Sequence, residues 1–189
     1  MPTSPAAKKV TLTPHPGTPA PTVRSIIASV STTPGSLTLG FELHADLASL
    51  RIPSPAPSEA AEFLWQHTCF EAFIAVGDAD PYREFNFSPS SRWAAYAFRS
   101  YRERDANSPV LSPPRITVAH FADVLTLQAW LPAAAIPRCQ AGQQLRLGLA
   151  AVIESSTGEL SYWAANHPGP KPDFHQRAGF VLELPPLHR

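Results

Sequence analysis

Two carboxylates in this chain sit where carboxylates are expensive. Glu71 lies in LWQHTCFEAFIAV (64–76), between Cys69 and Phe73 of a segment apolar on both sides. Glu84 opens EFNFSPSSRWAAYAF (84–98), where aromatic and polar residues alternate around a Ser-Pro-Ser-Ser turn. Side chains of a strand point alternately to opposite faces. That parity puts Trp65, His67, Cys69, Glu71 and Phe73 on one face of the first segment, with Phe70, Ala72 and Ile74 on the other. In YREFNFSP (82–89), Phe85 and Phe87 share a core face, while Tyr82, Glu84, Asn86 and Ser88 share the opposite one. A solvated edge is the plainer account of such a polar row. An ionised group desolvated without a partner is costly, however, so Glu71 needs one. If the two strands pair, Glu71 joins Glu84, Asn86 and Ser88 on one ligand-facing surface.

The chemistry this would support is recognition of a small polar molecule, above all a sugar. Sugars offer apolar C–H faces and polar rims, so their sites pair aromatic planes with charged and amide hydrogen-bonders. Trp65, Trp93, Tyr96, Tyr101 and Trp163 are candidate planes, each with the competing role of a core aromatic, and Trp130 in VLTLQAWL reads as core. The loop NHPGPKPDFHQR (166–177) carries His167, Lys171, Asp173 and His175, and three prolines and a glycine stiffen it. These four join the candidate ligand contacts, although Asp173 could simply pair with Arg177 across the loop. As metal ligands, His167, Asp173 and His175 would have to join His67. Their spacing follows no standard zinc pattern, so neither metal nor cofactor is expected.

The elements that must position these residues are strands. VTLTPH (10–15), VRSIIASVS (23–31) and SLTLGFELHA (36–45) alternate with period two, the last two joined through Thr33, Pro34 and Gly35 as a hairpin. A Pro- and Ser-rich connection (50–62) suits a crossover or a loop over a binding face. Strands are then expected at 64–76, 82–89, 92–101, 115–121, 124–132, 145–155, 159–165 and 178–185, with one helical turn near 132–142 and a polar loop over 102–114. Strands of this number with almost no helix point to an all-β fold, a two-sheet antiparallel β-sandwich of jelly-roll type, spanning 1–189 as one domain.

Composition agrees. Proline is 22 of 189 residues, about double its usual share, with 44 % hydrophobic residues, which favours short strands and rigid turns over disorder. The formal net charge is zero, which removes the electrostatic footprint of a nucleic-acid binder and weakens attraction to an anionic membrane. No apolar run is long enough to cross a bilayer, and no apolar segment follows Lys8 and Lys9 as in a secretory signal. With two cysteines, Cys69 and Cys139, a cytoplasmic protein with free thiols is expected. Oligomeric state stays open.

The runs LWQHTCFEAFI, EFNFSPSSRWAAYAFRSYR and YWAANHPGPKPDFHQRAGFVLEL together resemble the bacterial DOMON-like proteins, which are similar to family 9 carbohydrate-binding modules and to DOMON domains that bind sugars or haem. The resemblance runs from about residue 36 onward. It implies a β-sandwich with a ligand on the concave sheet, Trp65 and Trp93 as the nearest counterparts of an aromatic clamp, and Glu71 and Asn86 at polar positions of the shared strand pattern. The resulting expectation is a non-catalytic carbohydrate-binding module. Haem binding is the alternative, but the only methionine is Met1, which leaves His67, His167 and His175 as axial candidates. Glycoside processing by Glu71 and Glu84 comes third.

Overall fold

In a computed structural model, residues 7–109 and 112–187 are described. Among these residues the strands are β1 (Lys8–Pro14), β2 (Val23–Thr33), β3 (Ser36–Ala45), β4 (Cys69–Val76), β5 (Tyr82–Phe87), β6 (Trp93–Ser100), β7 (Glu103–Arg104), β8 (Arg115–Phe121), β9 (Val124–Pro132), β10 (Leu145–Glu154), β11 (Leu160–Ala164) and β12 (Leu182–Leu184). All of their pairings are antiparallel. One layer runs β1-β2-β3-β9-β8 and the other β7-β6-β5-β4-β10-β11, with β12 beside β10. The chain is therefore an all-β antiparallel sandwich.

The inner faces explain the packing. Phe70, Ala72, Ile74, Phe85, Phe87 and alternate β10 residues from Leu145 to Ile153 meet Phe41, Leu39, Leu127 and their neighbours in one buried cluster. Phe41 and Phe70 stack across it at 5.0 Å between ring centres. β1 belongs to both layers: Lys8–Leu12 pair with β2, and Thr13 and Pro14 pair with β11.

Three hairpins follow the turn chemistry of their sequences. Thr33 pairs with Ser36 around Gly35 at φ 80°, Phe121 with Val124 around Ala122 at φ 49°, and Glu154 with Leu160 around Gly158 at φ 91°. A 3₁₀ turn at Ala133–Ala135 fills the place read as one helical turn. Residues 50–62 cross between the layers. Leu50 bridges Ser155, and Ala60 then bridges Trp93 along the edge of β6.

Four expectations are corrected. The strand read as 64–76 begins at Cys69, because Phe63 takes a left-handed conformation (φ 62°) and Leu64–Gln66 close a 3₁₀ turn. The final strand is only Leu182–Leu184, since Arg177–Gly179 form another 3₁₀ turn and Phe180 is buried. The polar loop at 102–114 contains β7; its residues 110 and 111 lie outside the described residues. Trp130 is not core. It alternates to the outer face of β9, where the Arg115 guanidinium lies 4.6 Å from its ring centre. Among the described residues no helix is long and apolar enough to cross a membrane.

Candidate functional site

β4, β5 and β6 turn one face to the core and the other to a pocket. Register makes the second face: Phe73 lies opposite Glu84, Glu71 opposite Asn86, Glu84 opposite Tyr96 and Tyr82 opposite Phe98. A second, smaller buried cluster forms there from Phe73, Ala75, Tyr82, Ala94, Tyr96, Phe98 and Phe180. β10 contributes small residues beneath it, Gly148 opposite Phe73 and Ala150 opposite Glu71. A Cβ on Gly148 would come within 2.9 Å of Phe180 Cδ1, so the missing side chain is what lets Phe180 settle on the sheet. Pro172, Asp173, Phe174 and His175 fold back over this face. Between loop and sheet is a cavity of about 340 Å³, walled also by Trp65, Val152, Tyr162, Arg102 and Arg104.

Glu71 and Glu84 form its floor. They are diagonal neighbours on adjacent strands, a separation of roughly 7–8 Å between Cα atoms. Asn86 Nδ2 donates to Glu84 Oε1 at 2.7 Å. Glu71 Oε1 is buried with no hydrogen-bond partner. Burial, and then the neighbouring Glu84, push the Glu71 carboxyl well above the ordinary carboxylate range; Arg102 opposes. Burial likewise moves Glu84 up to about 6, against the Asn86 hydrogen bond and the arginines.

The walls are polar on one side. The Arg102 backbone N–H donates to Tyr82 Oη at 3.1 Å, which leaves the phenol hydrogen for His175 Nδ1 at 2.8 Å. His175 Nε2 then carries its hydrogen toward Glu84 Oε2, 3.7 Å away, a contact too long for a hydrogen bond. Burial, followed by Arg102, lowers His175 to about 4, so at neutral pH its contact with Glu84 involves a neutral ring. Arg102 is spent on Asp173 at 2.8 Å. Burial would raise Asp173, but bonds from Tyr101 and Arg102 outweigh it and keep its carboxyl below the usual range. Arg104 lies over the Tyr96 ring at 3.7 Å, and the Tyr96 hydroxyl donates to Glu62 at 2.9 Å.

The residues singled out in the sequence divide in two. Trp65, Glu71, Glu84, Asp173 and His175 come together at the cavity. Trp65 reaches it from the 3₁₀ turn, edge-on to Tyr96, and not along β4 as parity suggested. Asn86 is fully buried behind Glu84 and acts as its support. The others are elsewhere. His67 sits on a mostly exposed side chain bonded to Glu154 at 2.8 Å, because the strand starts after it. Ser88 Oγ accepts from Ser90 within the turn. Trp93 lies opposite Phe87, on the core-side face of β6, and so cannot join Trp65 in a clamp. His167 bonds the Thr13 carbonyl and meets His15 edge-on, in a different depression. Lys171 is exposed and does not line the cavity. Among the platform candidates, Trp163 is core, while its neighbour Tyr162 faces the cavity.

Sequence reasoning missed Arg102, Arg104, Phe98, Tyr162 and Phe174. Alternation in ELSYWAA could have flagged Tyr162 once Trp163 was assigned to the core. The arginines had no local signal, since their place depends on β7 turning back along β6. Among the described residues no three His, Cys, Asp or Glu side chains converge as a metal-binding group.

No protein-family profile matches the chain, and no curated protein matches it in sequence. Solved structures do match in fold. A candidate carbohydrate-binding protein from Bacteroides uniformis superposes with a TM-score of 0.67 at 16 % identity, over 93 % of this chain and 84 % of that one. A family 9 carbohydrate-binding module from Caldicellulosiruptor kristjanssonii, in complex with cellotriose, gives 0.54 at 10 % identity, over 87 % and 76 %. The fold is thus the β-sandwich found in carbohydrate-binding modules. At such identities the likeness speaks for architecture.

Proposed function

We propose that this protein is a non-catalytic carbohydrate-binding module whose ligand occupies the pocket on the outer face of β4, β5 and β6. One observation carries the reading: Trp65, Tyr162 and Phe174 enclose a cavity whose floor holds a buried carboxylate oxygen, Glu71 Oε1, with nothing bonded to it. Sugar hydroxyls supply such bonds while the ring's C–H face lies on an aromatic plane. The likeness to carbohydrate-binding structures supports this reading, and the DOMON-like resemblance implies the same sheet. Glycoside hydrolysis fits less well. Its two carboxylates flank the scissile bond, whereas Glu71 and Glu84 lie side by side on one floor. For haem, the three candidate histidines are apart, only His175 facing the cavity.

Calorimetric titration with cellotriose and with N-acetylglucosamine, glucosamine and phosphorylated oligosaccharides tests the proposal. Saturable binding to one class, weakened about tenfold or more by Trp65→Ala, is expected. Absence of binding across the panel, or binding that Trp65→Ala leaves untouched in a folded variant, would refute it.

A further inference from the structure

The charges around the pocket do not balance where they lie, and the imbalance says something about the ligand. Resting on the carbohydrate reading above, we propose that the pocket selects a sugar bearing a free ammonium group, its ring against the aromatic walls and its ammonium on Glu71 and Glu84.

The groups facing the two carboxylates can be taken element by element. β4 adds the buried Cys69 thiol, β5 Tyr82, and β6 Tyr96. Across the opening stand Arg102 and Arg104, the covering loop brings Asp173 and His175, β11 brings Tyr162, and β10 offers only Ala150 and Val152. Of the two cations, Arg102 is already joined to Asp173, and Arg104 lies on Tyr96 beside Glu62, 3.9 Å away. His175 is occupied by Tyr82 through Nδ1, and burial keeps the ring neutral near pH 7. Neither floor carboxylate therefore has a cation of its own at contact distance, and Glu71 Oε1 has no partner at all.

Burial of two like charges side by side favours protonation, of Glu71 above all, and a proton on one of the two is how the empty pocket tolerates the pair. An incoming ammonium reverses that preference. It offers up to three donors and a positive charge to two buried carboxyl groups, and a carboxyl becomes a better ligand on losing its proton. Binding is then coupled to proton release. A neutral sugar gives hydroxyl bonds to the same oxygens but no charge. An anionic sugar would face two carboxylates with only committed arginines to help.

The experiment is titration calorimetry of the full chain with the trisaccharides of glucosamine and of N-acetylglucosamine, and with cellotriose, in two buffers of different ionisation heat. Acetylation removes the charge and keeps the ring. The free amine is expected to bind at least about tenfold more tightly than its acetylated form, to tighten as pH rises from about 5 to about 7, and to release protons. Glu71→Gln should remove most of that preference. If the acetylated sugar or cellotriose binds as tightly as the amine, or no proton is released, the ammonium proposal fails while the carbohydrate reading stands. If none of the three binds, the ammonium proposal fails, and the carbohydrate reading fails with it when the phosphorylated oligosaccharides do not bind either. Should Glu71→Gln not fold, the free and acetylated sugars on the wild-type protein still decide.

Discussion

Glu84 shows how a single residue ties the site to stability. Burial raises its carboxyl to about 6 from an ordinary 4.5. The folded state thus holds a proton that the unfolded state has released between those values. Its contribution is full below about pH 4.5 and is lost as pH rises through about 6. His175, lowered to about 4, runs the other way and adds stability as pH climbs toward its unfolded value. The two can be separated by substitution. Glu84→Gln keeps an acceptor for Asn86 and removes the titration. It should be more stable than wild type at pH 7 by about 2 kcal/mol, roughly 4–8 °C in Tm, and no more stable near pH 4. Paired thermal melts check this; equal gains at both pH values would show that the carboxyl is not the cause. A second prediction concerns Tyr82, whose phenol joins Arg102 N–H to His175 Nδ1. Tyr82→Phe leaves a donor and an acceptor unmet and should cost about 1–3 kcal/mol in denaturant unfolding, with an unchanged midpoint as the opposing result.

At the scale of elements, the loop and the sheet beneath it behave as one unit. Gly148 on β10 admits Phe180, and Phe180 anchors the chain that carries Pro172 to His175 over the pocket. In Gly148→Ala the new methyl must push against that ring. A loss of about 1–3 kcal/mol is expected, together with weaker ligand binding as the loop lifts; unfolding and binding curves that match wild type would contradict the account. Much at this scale was legible beforehand. Strict alternation in EFNFSP and CFEAFI placed Phe85, Phe87 and Phe70 in the core and Glu71 and Glu84 away from it, because a strand buried on both faces has only two ways to point. Trp65 lines the cavity but does not reach it along β4 as alternation suggests: the left-handed Phe63 breaks the strand and swings the indole in from a turn. Trp93 was misplaced for a related reason. The Ser-Pro-Ser-Ser turn makes Trp93 the register partner of Phe87, which puts it on the core side. Arg102, Arg104 and Phe174 reach the pocket through pairing and loop closure between distant segments, which local alternation does not encode.

For the whole molecule, β1 is the tie. Its first part extends the β2 layer and its end pairs with β11 of the other, with Leu12 buried at the change-over. Leu12→Ala should lose about 2–5 kcal/mol and still unfold in one transition, with far-UV dichroism and tryptophan fluorescence coincident; two separated transitions would mean that the layers are held independently. The four tryptophans also map the surface. Trp65 faces the pocket, Trp93 lies on the core side of β6, Trp163 is core, and Trp130 is on the outer face of the other layer. The measurement that bears most directly on the binding site is therefore an NMR titration following the four indole N–H signals while the best-binding oligosaccharide is added. A saturating shift of the Trp65 signal, with those of Trp130 and Trp163 still, is the predicted result. Movement of Trp130 with Trp65 unchanged would place the ligand on the opposite layer and contradict the assignment of the site.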